Sequence, residues 1–138
     1  MTTAGEARMY LQDEVESKLS NVKAQIKLLS SMDATQEPKQ EAMRMLEELH
    51  QGLYQLVRNL RRIVPATITA DLQICYNDLM SLYNEIRKIT SGMTRAKIQA
   101  AQRLFLRNLE NVQRKLSIVE SFLVTSEKEG QRKNKDIQ

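Results

Sequence analysis

The sequence predicts an all-α fold, specifically an antiparallel up-down-up-down four-helix bundle with a disordered basic C-terminal tail, and three observations predict it. The first is composition. Among 138 residues there are no Trp, two Phe, four Gly and two Pro, while Leu, Gln, Arg, Lys, Glu and Met are plentiful. These straight-chain residues lose little rotamer freedom in a helix, and few helix breakers are present. The Gly-rich and Asn-Gly turns that β structure needs at short intervals are missing. The second observation is apolar residues spaced three and four apart over long runs. The third is that only three short segments interrupt those runs.

The first interruption is Ser30–Pro38, rich in Ser, Asp and Thr and closed by a proline that a first helical turn tolerates. The second is Val64-Pro65-Ala66-Thr67, where Pro65 disfavours the α conformation at Val64 and Thr67 offers an N-cap. The third is Thr90–Thr94, with Gly92 suited to a left-handed C-terminal residue and Thr94 to the next cap. These breaks predict helices over 6–32, 36–64, 68–91 and 94–127, in one domain covering 1–127, with residues 128–138 as the tail.

Each helix has its own seam. The first carries Leu11, Val15, Leu19, Val22, Ile26 and Leu29; the second carries Ala42, Leu46, Leu49, Leu53, Leu56, Leu60 and Ile63. The third carries Ile68, Leu72, Cys75, Leu79, Leu82, Ile86 and Ile89, and the fourth runs from Ile98 through Ala101, Phe105, Leu109, Val112, Leu116 and Val119 to Leu123. Alternating steps of three and four mark helices that cross at shallow angles, and short connections favour antiparallel neighbours. The alternative arrangement is a three-helix core with the first helix detached or exchanged between protomers. Four long helices with short loops and a basic face resemble in architecture the bundle modules of adhesion and cytoskeletal adaptors, such as focal adhesion targeting domains. The resemblance transfers no functional residue.

Reactive residue types are scarce. His50 is the only histidine and Cys75 the only cysteine. No HExxH or CxxC spacing occurs, and Glu47-x-x-His50 supplies one copy of a pattern that di-metal bundles need twice. Cys75 lies in the apolar seam of its helix, where a thiol behaves as a small hydrophobe, although a pairing with His50 across adjacent helices is conceivable. The four glycines are too scattered for a phosphate-cradling loop. No catalytic residue, metal ligand or cofactor is therefore expected, and the chain reads as non-enzymatic. A lone cysteine predicts an intracellular, reducing setting, cytoplasmic or nuclear.

Function is then expected to reside on the surface. The net charge is +4, and it is unevenly spread. The second helix starts acidic and ends in Arg58, Arg61 and Arg62, as the helix dipole favours. Helix 4 differs: Arg103, Arg107 and Arg114 fall within about 40° of one another in mid-helix, at 100° per residue. Glu110 is placed to neutralise them in part. Tyr76, Met80 and Tyr83 share one flank of the third helix, where they either pack in the core or form an exposed groove with the fourth. The expected partner is another protein, engaged through the face of helices 3 and 4 by an amphipathic helix or an acidic surface. Two alternatives remain open: nucleic acid or anionic lipid on the basic stripe, and homo-oligomers formed through the heptad seams.

Overall fold

The computed structural model describes residues 3–29, 36–90 and 92–137, with side chains from 37 in the second segment and up to 130 in the last. The chain is all-helical over these residues, with four helices packed against one another. Helix α1 runs Ala4–Met9, passes through a π-helical segment Tyr10–Val15 and resumes as Glu16–Leu28. Helix α2 is Gln36–Leu60, α3 is Ala66–Arg87 and α4 is Arg95–Ile137. Most of the first expected break, residues 30–35, lies outside the described residues.

Local signals explain most boundaries. Thr3 caps α1, its hydroxyl accepting from the Glu6 amide at 3.1 Å. Thr94 does the same for Lys97 at 3.3 Å, as its place after the third break predicts. Other ends differ from expectation. Pro65, extended at φ −60° and ψ 153°, is itself the N-cap of α3, so Thr67 falls inside the first turn. No described glycine has a positive φ, so Gly92 turns the chain without a left-handed conformation. Helix α2 stops at Leu60, not at residue 64. Beyond it the helical phase is lost, so Ile63, expected in the core, is 45 % exposed while Val64 is buried. At the far end, α4 does not stop near residue 127. Its backbone stays helical through Ile137, in a stretch whose Lys, Glu, Gln and Arg are good helix formers.

The seams assemble into one core. Every other seam residue named above is buried except Ala101, which packs partly exposed against it, and Ala7 and Val57 join from outside the seams. Helix α1 lies against both α2 and α4, α2 against α3, and α3 against α4. Helix α1 is thus part of the packed set, not detached from it.

The π segment has a sequence cause. Ala7, Leu11, Val15 and Leu19 are all buried, at three consecutive steps of four. In an α-helix each such step overshoots a turn by about 40°, so the fourth residue would leave the core face. The π segment, in which the Glu16 amide donates to the Leu11 carbonyl five residues back, absorbs that drift.

Candidate protein-interaction surface

The two flanks of α3 have different neighbours. On one, Tyr76 meets the His50 ring edge-on at a centroid distance of 5.3 Å and the Tyr54 ring at 5.9 Å, both from α2. On the other, the Cys75 thiol points at the Val112 carbonyl of α4, 3.9 Å away. Tyr76 therefore packs toward α2, and Tyr83, also partly buried, packs against the core. Met80 is intermediate in exposure. The sequence places all three aromatic and sulfur side chains on one flank, and Tyr76 meets α2 there, so Tyr76 does not line the groove expected with α4. Geometry also separates Cys75 from His50, since they lie on opposite flanks. Burial pushes the Cys75 thiol up to about 12, so it carries no thiolate near neutral pH.

The outer surface where α3 meets α4 has other residues. Ile74 of α3 and Leu104 and Ile118 of α4 are 41 %, 50 % and 57 % exposed. Between the two helices lies a shallow polar cavity of about 240 Å³ lined by Asp78, Ser81, Asn108 and Asn111. Arg103, Arg107 and Arg114 are all exposed on α4, with no hydrogen-bond or ion-pair partner among the described residues. Glu110, placed by spacing to neutralise them, bridges to neither Arg107 nor Arg114. The structure thus brings the three arginines together on a surface shared with Leu104 and Ile118. Spacing alone does not single out that apolar company, because a core helix carries an apolar stripe wider than its seam.

Some charges elsewhere are paired. Arg44 holds Glu41 at 2.7 Å and Glu48 at 3.0 Å, and Lys18 crosses from α1 to Glu48 at 3.5 Å. Arg8 reaches Glu127 at 2.6 Å, and its guanidinium holds that carboxylate below its usual range. Arg58, Arg61 and Arg62 are exposed at the end of α2 or in the turn after it, where the last carbonyls favour cations.

The seam of α1 with α4 holds one perturbed acid that the sequence did not single out. A cavity of about 310 Å³ there is lined by Leu11, Glu16, Leu19, Ser20, Gln113, Leu116, Ser117 and Glu120. Glu120 Oε1 is shielded from solvent and has no partner among the described atoms. Burial first, then the neighbouring Glu16 carboxyl, pushes Glu120 up to about 7. Two facing carboxyls in this setting favour one shared proton over two charges. Glu16 and Glu120 are 104 positions apart, so only the folded pairing of α1 with α4 exposes the relationship.

Among the described residues no group of three or more His, Cys, Asp and Glu side chains is placed to hold a metal ion, and no helix is long and apolar enough to cross a membrane. No protein-family model, curated protein or solved structure matches the chain. The function must be argued from its own surface.

Proposed function

We propose that the chain is a non-enzymatic interaction module, an adaptor or complex subunit, that docks a partner protein through the outer face of α4 and the adjoining edge of α3. The observation that carries this reading is the trio Arg103, Arg107 and Arg114, without a partner among the described residues, set beside exposed Leu104 and Ile118. Helix ends explain the arginines of α2, but these three lie in mid-helix. An exposed cation without a carboxylate is well hydrated and unremarkable by itself. Cations ringing exposed apolar side chains match the arrangement of protein interfaces, where an apolar centre is surrounded by a polar rim.

The up-down-up-down bundle is part of the same reading. Contacts such as Arg8 with Glu127 and Gln102 with the Ile26 carbonyl, or Lys39 with the Ile89 carbonyl, support opposite directions for neighbouring helices. The single, buried Cys75 supports a reducing cytoplasmic setting.

The test is affinity capture with the wild type beside the triple variant Arg103→Glu/Arg107→Glu/Arg114→Glu, at two salt concentrations, after circular dichroism has shown equal helicity. The expected result is loss of the captured partner in the triple variant and weakening of wild-type capture by salt. Retention of the same partner by both proteins would sink the proposal. Tyr76→Ala is the control, expected to lower stability and leave capture intact.

A further inference from the structure

The outer face of α4 carries a second heptad stripe. Ala100, Leu104, Arg107, Asn111, Arg114 and Ile118 follow one another in steps of four, three, four, three and four, and every one is exposed. The buried seam on the opposite side of the same helix uses the same kind of spacing to face α1 and α3. A stripe of this period presents a continuous line to another helix, not to a point ligand. Its chemistry is mixed: apolar at Leu104 and Ile118, two heptads or about 21 Å apart, polar at Asn111 midway, and cationic at Arg107 and Arg114.

From this stripe, and resting on the interaction module proposed above, we propose that the partner element is a single acidic coiled-coil helix. It seats apolar residues two heptads apart on Leu104 and Ile118, with carboxylates opposite Arg107 and Arg114. Charge selects this occupant. A second copy of α4 laid on the same stripe would set Arg107 and Arg114 against their own counterparts when parallel, and Arg107 against Lys115 when antiparallel with Leu104 over Ile118, and opposed like charges disfavour pairing. A bilayer surface is a poor match as well. Membrane-lying helices present a broad apolar band with cations on its polar side, whereas here the middle of the stripe is Asn111 between two arginines. A polar Asn within a coiled-coil seam lowers affinity and fixes register. That assigns Asn111 the role of selecting which heptad of the partner docks where.

The test uses the full chain and four probes, the fourth being the patterned helix with its pattern shifted by one heptad. One is a synthetic three-heptad helix with leucines two heptads apart, glutamates opposite the arginines and a central asparagine. The second is a scrambled peptide of identical composition, and the third is vesicles of mixed phosphatidylserine and phosphatidylcholine. The patterned helix is expected to bind, at least roughly tenfold more tightly than the scramble, a difference of about 1.4 kcal/mol. Arg107→Glu/Arg114→Glu and Leu104→Ala/Ile118→Ala should each weaken it by a comparable factor. Asn111→Leu should tighten binding but erase the preference for the in-register peptide over one shifted by a heptad.

Equal binding of patterned and scrambled peptides would overturn the register claim while leaving the interaction module standing, since that rests on the capture experiment. Binding to vesicles but not to peptide would overturn the proposal in favour of a lipid surface. Concentration-dependent self-association in sedimentation equilibrium, abolished by Arg107→Glu/Arg114→Glu, would overturn it in favour of a second copy.

Discussion

Where α2 packs on α3, the contact is made of Leu and Ile with aromatic edges at its margin; where α1 packs on α4, polar groups enter the seam. The first region holds residues such as Leu49, Leu53, Leu72 and Leu79, all fully buried. The second holds the Arg8–Glu127 pair, Gln102 donating to the Ile26 and Lys27 carbonyls at 3.0 and 2.8 Å, and the Glu16–Glu120 carboxyls. Both are built from three-four spacing. The difference teaches that the α2–α3 joint is made mainly by apolar packing, with Lys39 reaching the Ile89 carbonyl at its end, while the joint that closes the first helix on the last carries carboxylate, guanidinium and amide groups within its seam. It follows that the two regions should answer differently to core deletion and to pH, with the α1–α2 contact between them sensitive to crowding.

The largest effect belongs to the apolar pair. Leu53→Ala or Leu79→Ala should lower stability by about 2–5 kcal/mol, through lost transfer energy plus a cavity, measured by urea denaturation. If either costs no more than a surface change, the view that α2–α3 is held by apolar packing breaks.

Next is the contact of α1 with α2 at Gly52. A Cβ there would collide with the Tyr10 hydroxyl, so Gly52→Ala should cost about 1–3 kcal/mol by overpacking. The added methyl group improves local helix propensity, so only a steric cause predicts a loss. Adding Tyr10→Phe should recover part of the loss in a double-mutant cycle. Full additivity of the two changes would remove the steric explanation.

Smaller, but of opposite sign to most substitutions, is the effect of Glu120→Gln. Glu120 titrates near 7 when folded against 4.5 for its ordinary value. The folded state holds its proton more tightly, so stability falls as pH rises from about 4.5 to about 7, and the full penalty persists above that. The substitution should stabilise the protein at pH 8 by about 1 kcal/mol once solvent screening is allowed for. It should leave stability near pH 4 unchanged. Thermal melts at the two pH values check this, and equal gains at both would refute the titration.

The smallest effect is at the other end of the same seam. Glu127 is held below its ordinary range by Arg8, so its contribution is present above the ordinary carboxylate pKa and fades as pH falls below it. Arg8→Ala should appear only as faster amide exchange in the first turns of α1 at neutral pH, with the difference from wild type shrinking in acid. The seam therefore contains two carboxylates whose titrations push stability in opposite directions.

These contrasts also show what the sequence could and could not reveal. The buried seams were legible almost residue by residue, because Leu11 to Leu29 or Ile68 to Ile89 repeat a spacing that only a helix can turn to one side. Ile63 failed because its spacing was extrapolated past Leu60, where the chain leaves the helix. The π segment was hidden, although Ala7 to Leu19 in unbroken fours contains its signature, because Ala7 is too small to register as a seam residue. Site residues were less legible. Which flank of α3 meets α2 decides the fate of Tyr76, and that is a property of how helices are rotated against each other. Glu120 needed Glu16 from the other end of the chain.

The π segment has a consequence for descent. Between Ala7 and Leu19 the chain spends twelve residues where an alternation of four, three and four would span eleven. A cousin of this protein that lacks one residue in that interval would keep Ala7, Leu11, Val15 and Leu19 equivalents on one face of an unbroken α-helix. A single-residue gap, in the middle of a helix and not in a loop, is where its divergence should first be visible.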